Sequence, residues 1–214
     1  MEYPRHNFTW RDITLREVYL KEIYQMACDA RDSIWEQAKS VGREPKIYLH
    51  WTAGHYHQLY LNDYHISIDE DGTIYAEHDL DEVLSHTYRR NTGAVGITLA
   101  CCAFANTESL GDEPPTQEQI EAMAQVIVAI ADGLWITIDR EHVMTHGEAG
   151  DNLDNIYPHE AYGCATTCER WDLQYLETEE SPSFTTDYDN SATGGNVLRG
   201  KANWYKNEGA LNFQ

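Results

Sequence analysis

The chain has 214 residues, of which 42% are hydrophobic and 11% aromatic, with a formal net charge of -21. That composition describes one globular domain with a full core and excludes an intrinsically disordered chain. The acidity excludes electrostatic capture by phosphate backbones or anionic lipid, so no nucleic-acid partner is expected. No membrane insertion is expected either, because no apolar run approaches the roughly 20 residues of a bilayer span.

Met1 to His6 show no basic start leading into an apolar core. Synthesis in the cytoplasm without a Sec signal is therefore expected, with action in the periplasm or outside reached by another route. Residues 1–12 are polar and aromatic and read as a cover over the domain body. From Thr14 to about Ser40 apolar residues recur at helical spacing (Leu15, Val18, Ile23, Met26, Ala30, Ile34), and Thr14 with Glu17 forms a T-x-x-E capping box. Gly42 ends this helix, and Pro45 leads into Lys46-Ile47-Tyr48-Leu49-His50-Trp51-Thr52-Ala53-Gly54, a short buried strand that ends on a histidine. Tyr64 to Asp69 and Thr73 to Ala76 flank Asp71-Gly72 as a hairpin. Residues 77–92 read as a short helix or loop, and Gly93 to Cys102 as another buried strand. Thr116 caps a long helix from Gln117 to about Leu134, and Glu141 to His146 is a last strand that again ends on a histidine. After Asp172 the periodicity fades. Residues 177–196 are acidic and rich in Ser, Thr and Gly, and are expected to be surface-laid or partly mobile. The basic-aromatic stretch Arg199, Lys201, Trp204, Tyr205, Lys206 is expected to dock back.

This order of elements predicts an α/β (α+β) fold, a central mixed β-sheet flanked by helices. One domain over residues 1–176 with an extension over 177–214, packed on it or partly mobile, is the expected organisation. Ligand sites in such sheets lie off the strand ends, where His50 and His146 fall. With a late aspartate, Asp172 in Glu169-Arg170-Trp171-Asp172-Leu173, they make the ligand set of a catalytic zinc ion with an open fourth position. A lone histidine at a strand end is more often a hydrogen-bonded structural residue, and the chain has 10 histidines from which accidental triads can be drawn. What favours zinc is that all three candidates stand in fitting contexts. The 5 cysteines, an odd number, do not describe a disulfide framework. Cys101-Cys102 read as buried core thiols. Cys164 and Cys168 suit a loop-pinning disulfide, part of a second metal site or, as the preferred reading, unpaired thiols.

The segments Leu49 to Gly54, Tyr64 to Gly72, Val95-Gly96-Ile97, Thr145-His146 and Arg170-Trp171-Asp172 together resemble the zinc-dependent N-acetylmuramoyl-L-alanine amidases. That family includes phage amidase-type lysozymes and peptidoglycan recognition proteins. The resemblance spans about residues 45–173, in the family's order, and leaves the first helix and the tail outside. It implies an amidase/peptidoglycan recognition protein-like fold and Zn2+ held by His50, His146 and Asp172. It also implies hydrolysis of the amide bond between N-acetylmuramic acid and L-Ala of peptidoglycan. Tyr64 matches a tyrosine that in phage members sits beside the zinc-bound water. Arg170 matches a position usually held by a lysine that stabilises the oxyanion; a guanidinium keeps the charge but is less able to donate its proton. Trp51 and Thr52 beside the first ligand, and His86, which matches a groove histidine, are implied to bind substrate. Trp51, Tyr56 and Tyr60 suit stacking on sugar or peptide faces and equally suit anchoring the loop.

One departure stands out. Many relatives carry a glutamate general base just after the Ile-Gly-Ile-like strand motif, and here that position is Thr98. Glu148, two residues after His146, is the substitute candidate for the base, or for a residue that supports the ligands from behind, against the plainer reading of a loop acid. Residues 147–168 read as a wall of the peptide-binding groove. The resulting expectation is a monomeric phage or prophage endolysin, or a secreted antibacterial effector with an immunity protein as partner. The alternative is a non-catalytic peptidoglycan-binding protein of the same fold: Thr98 speaks for it and the retention of all three ligand types against it. The patterns H-x-E…P-C-x-x-C and H-E-x-x-H of other zinc hydrolases are absent.

Overall fold

The buried apolar runs form the centre of a six-stranded sheet in a computed structural model that describes residues 15–59, 62–156, 170–209, 211 and 213. In chain order the elements are β1 (Arg16–Glu17), α1 (Leu20–Ser40), β2 (Lys46–Trp51), β3 (Ile66–Ile68), β4 (Ile74–Ala76), β5 (Ala94–Leu99), α2 (Gln117–Leu134), β6 (Val143–Thr145), α3 (His146–Gly150) and α4 (Gly194–Asn207). The strands lie side by side in the order β1-β4-β3-β5-β2-β6. Three pairings are parallel (β2 with β5, β2 with β6, β3 with β5) and two antiparallel (β1 with β4, β3 with β4). The fold is therefore the mixed, helix-flanked α+β architecture that the element order predicts.

Side chains alternate across a strand, and that alternation separates the core from the site. Along β2, Ile47, Leu49 and Trp51 join the large core with Ile97 and Leu99 of β5, Ile23 and Ile34 of α1, and Met123 and Ile127 of α2. Tyr48 belongs to a separate small cluster with Ala94, Met144 and Ala149. His50 shares the side of Tyr48, away from the core formed with α1 and α2. Helix α1 packs on α2, and α2 on α4. Thr116 caps α2 as expected, its hydroxyl accepting from the Gln119 N–H at 3.0 Å. The hairpin closes through Asp69 N–H to Thr73 C=O and Gly72 N–H to Asp69 C=O, both 2.9 Å.

Two expectations change, and between the two alternatives for residues 77–92 the loop is the one found. The first helix starts at Leu20, not near Thr14. Arg16 and Glu17 instead pair with Ala76 and Tyr75 of β4, and the Val18 N–H donates to Ile74 C=O at 2.9 Å. The edge of the hairpin thus takes up backbone groups that a longer helix would have satisfied internally. The acid that meets the helix start is Glu22, which accepts from the Tyr19 N–H at 2.9 Å, in place of Glu17; Thr14 lies outside the described residues. Residues 77–92 form turns without a helix. The tail carries an unexpected helix, α4, on which the basic-aromatic stretch falls. Lys201 and Tyr205 reach Glu121 of α2 at 2.9 and 2.8 Å, and Lys206 reaches Asp132 at 2.6 Å. Among the described residues no helix is long and apolar enough to cross a membrane.

Candidate metal centre

Parallel pairing brings the ends of β2, β5 and β6 to one edge of the sheet. Leu49 stands opposite Thr145, so the next residues in each strand direction, His50 and His146, meet side by side. On its other flank His50 stands opposite Thr98. Asp172 arrives from a distant segment, and the ring of the preceding Trp171 packs edge-on against Trp51 with centroids 4.7 Å apart. That contact seats the segment next to the strand end.

Three donor atoms converge. His50 Nδ1 lies 3.1 Å from His146 Nδ1, and Asp172 Oδ2 lies 3.5 Å from the first and 3.4 Å from the second. Donors on a tetrahedron with bonds of ~2.0–2.1 Å are about 3.3–3.4 Å apart, the spacing a zinc ion with nitrogen and oxygen ligands requires. His50 is fully buried and His146 is 8% exposed. Burial, with the neighbouring His146, lowers His50 to about 4, so its imidazole is neutral at physiological pH and offers a lone pair. Burial works to raise the Asp172 carboxyl, but the charge and hydrogen bonds of the two imidazoles outweigh it and hold the group well below the usual carboxylate range. The donor set is that of a ligating group: two imidazoles and one anion. Among the described residues this is the one group of three or more His, Cys, Asp or Glu side chains close enough to hold a metal ion.

The outer nitrogen of His50 is also held. Its Nε2 lies 3.3 Å from the Thr87 hydroxyl, which lies 2.9 Å from Nδ1 of His86. With Nδ1 turned to the metal position, Nε2 carries the proton and donates to Thr87, which fixes the tautomer. The His86 ring rests edge-on to His50, centroids 5.4 Å apart, directly over Gly96. A Cβ at that glycine would fall 2.7 Å from His86 Cγ.

A cleft of about 770 Å³ opens above the trio. Trp51, Thr52, Tyr64, His86, His146, Arg170 and Asp172 all border it. Tyr64 stands with its ring 5.1 Å from that of His50, and burial together with the Asp172 charge pushes its phenol above the ordinary value. Arg170 is exposed at the cleft wall. His86 borders the cavity, yet its ring is buried among His50, His65 and Tyr48, which makes it more a support of the floor than a contact surface. Tyr56 is absent from the lining and instead donates its hydroxyl to Pro114 C=O, a loop anchor. Tyr60, Cys164 and Cys168 lie outside the described residues. Cys101 and Cys102 are buried free thiols, as expected.

Glu148 stands apart from the other candidates, placed to support the ligand loop and not to serve as a base. It does not border the cleft. It is 1% exposed, and both oxygens are taken by Arg199 of α4, at 2.7 Å each. A carboxylate whose two oxygens are both engaged by a buried guanidinium faces that partner, and it is not at hand to collect a proton from the cleft. Three residues of the site, Thr87 behind His50 and Phe104 and Arg89 in the cleft lining, had no signal in the sequence. Thr87 is an ordinary threonine until folding sets it beside His50. Phe104 is 87% exposed at the rim with φ +63, and Arg89 stands over the ring of Tyr88 at 5.4 Å.

A model of the N-acetylmuramoyl-L-alanine amidase family matches residues 38–171. The matched span takes in His50, His146 and Arg170 and stops one residue before Asp172. No curated protein matches. Among solved structures, the endolysine N-acetylmuramoyl-L-alanine amidase LysCS from Clostridium intestinale URNW is 20% identical, covering 58% of this chain and 79% of that one with a TM-score of 0.39. Drosophila PGRP-LB is 17% identical, covering 50% of this chain and 71% of that one with a TM-score of 0.37. Likenesses this loose add nothing to the family match.

The buried histidines make the metal-free fold acid-sensitive. His50 and His65 are each lowered by burial from 6.5 to about 4. Between those values the unfolded chain takes up protons that the folded state refuses, so stability is full above pH 6.5 and falls as the pH drops toward 4. Each histidine contributes a slope of at most ~1.4 kcal/mol per pH unit. His57, raised by its hydrogen bond to Asp69, works weakly in the other direction. Urea unfolding of the metal-free protein should show a marked loss of stability from pH 7 to pH 5; a flat profile contradicts the neutral, buried assignment.

Proposed function

Because the chain belongs to the N-acetylmuramoyl-L-alanine amidase family, we propose that it hydrolyses the amide bond between N-acetylmuramic acid and L-Ala of peptidoglycan, using one zinc ion held by His50, His146 and Asp172. The observation that carries this reading is the set of donor atoms 3.1, 3.4 and 3.5 Å apart at the floor of a cleft. When bound, the ion supplies Lewis acidity toward the scissile carbonyl and toward water. The remaining work falls to the chain. His50 and His146 present lone pairs, and the Asp172 carboxylate offsets part of the ion's charge. Thr87 keeps the His50 ring in the ligating tautomer. Arg170, always charged, stands at the cleft wall to meet the negative charge that develops on the carbonyl oxygen. Tyr64 stays protonated through the working pH range and orients water or the leaving group by hydrogen bonding. Trp51 and Thr52 form part of the substrate surface. Glu148 takes no part in proton transfer.

In cellular terms this is the chemistry of a phage or prophage endolysin, and it equally serves an antibacterial effector kept in check by an immunity protein. One feature favours a second reading, a non-catalytic peptidoglycan binder: Thr98 beside His50 has no basicity with which to replace the general base.

The two readings separate by digesting purified cell wall with the zinc-loaded protein and analysing the products by mass spectrometry. Wild type should free stem peptides from muramic acid and His146→Ala should not. Glycan-strand cleavage, or no release by the zinc-loaded wild type, removes the amidase assignment. Arg170→Ala should retain zinc while losing about 10²–10³ in kcat, the usual cost of one oxyanion donor. Near-normal turnover in that variant takes Arg170 out of the site.

A further inference from the structure

We propose that α4, which lies beyond the family-matched span, is a working part of the metal centre: Arg199 and Gly195 position the segment that carries His146, and Gly194 the segment that carries Asp172. The proposal rests on the zinc reading given above.

His146 is the first residue of α3, and the residues around it form a closed loop. Glu148 Oε2 accepts from the Thr145 N–H at 2.9 Å, while the Thr145 hydroxyl accepts from the Glu148 N–H at 3.1 Å. The ligand sits inside that reciprocal cap. Arg199 then grips it from outside. Nη1 donates to Glu148 Oε2 at 2.7 Å and to Val143 C=O at 2.9 Å, and Nη2 donates to Glu148 Oε1 at 2.7 Å and Asn196 Oδ1 at 2.6 Å. One planar fork thus ties the strand before His146 to the carboxylate after it. Arg199 is 5% exposed, so the pair is buried and its geometry is fixed.

The start of α4 reaches the other ligand segment. Gly194 N–H donates to Gln174 C=O at 3.1 Å. A Cβ at Gly194 would fall 2.0 Å from Leu173 C=O, and a Cβ at Gly195 would fall 2.9 Å from both Glu148 oxygens. Leu173, directly after Asp172, holds φ +57, a conformation a branched residue keeps only under constraint from its surroundings. Only hydrogen at 194 and 195 lets α4 wedge between the residue after Asp172 and the carboxylate after His146. The two ligand segments are remote in sequence, and α4, like β2, touches both. A partner bonded directly to a ligating side chain is worth about 10–100-fold in metal affinity; Arg199 and Gly195 act one contact further out, so the low end of that range is expected.

The test uses the full chain with Arg199→Lys, Arg199→Met and Gly195→Ala, and Lys201→Met as the control. The control removes α4's pairs with Glu121 and Glu180, neither of which adjoins a ligand in the chain. Zinc affinity is measured by competition with a chromophoric chelator, the ligand field by the visible spectrum of the cobalt(II)-loaded protein, and folding by the Tm of the metal-free protein. Arg199→Met and Gly195→Ala should weaken zinc binding at least about tenfold and alter the cobalt bands, with Arg199→Lys partly restored by its charge. Lys201→Met should lower Tm and leave affinity and spectrum unchanged. If the Arg199 and Gly195 variants also lose only Tm, α4 is a stabilising element and the proposal fails. Should Arg199→Met not fold, Gly195→Ala and Arg199→Lys decide the matter by the same readouts. A wild type that binds no zinc overturns the metal reading and this proposal together. Absence of amidase activity with zinc bound overturns the proposed reaction alone, since affinity is what is read here.

Discussion

Two imidazole nitrogens and a carboxylate oxygen gathered 3.1–3.5 Å apart repel one another through their lone pairs unless a proton or a cation sits between them. His50 is fully buried, so water reaches the trio only from the side of the cleft that His146 and Asp172 border. The fold nevertheless holds the three together with independent elements: two parallel strand ends, a tryptophan pair and a helix from the tail. Such an arrangement is what a preformed divalent-cation site demands, because the cost of assembling the ligands is met by folding before the ion arrives.

The sheet divides the labour. One face carries Ile47, Leu49, Trp51, Val95, Ile97 and Leu99 into the core shared with α1 and α2, and the other turns Tyr48 and His50 toward the site. Helices α1 and α2 supply apolar burial. Helix α4 does something further, since its arginine neutralises a carboxylate buried beside a ligand. A buried charge with one partner removed is strongly destabilising. The Arg199–Glu148 pair therefore couples docking of α4 to the shape of the ligand loop. Behind the cleft lining, Arg90 is fully buried and holds Asp154 through two bonds of 2.7 and 2.9 Å. That pair fixes the turn carrying His86 and Thr87 to the segment that follows α3.

Much of this was legible in the sequence, and the parts that were not share a cause. His50 and His146 could be placed because a buried strand has a short apolar run and an abrupt polar end, both local properties. The hairpin and α2 could be read for the same reason, from Asp71-Gly72 and from Thr116 with its helical face. The start of α1 was misread because Thr14/Glu17 and Tyr19/Glu22 offer the same three-residue spacing, and the choice between them lies in pairing with β4, which is far away in the chain. Glu148 looked like a base because an acid beside a ligand reads the same whether it faces the cleft or a buried guanidinium 51 residues later. Helix α4 was hidden by Gly194, Gly195 and Gly200, each unfavourable in a helix by about 1 kcal/mol. At Gly194 and Gly195 close packing against Leu173 and Glu148 overrides that preference, whereas Gly200 faces open space; such packing is not written in any local window.

X-ray absorption on the zinc edge of the loaded protein tests the convergence of His50, His146 and Asp172 most directly. One ion per chain is predicted, with only nitrogen and oxygen scatterers at about 2.0–2.1 Å and an imidazole signature that His146→Ala diminishes. A sulfur shell near ~2.3 Å, or a first shell unchanged by His146→Ala, would place the ion elsewhere and contradict the centre described here.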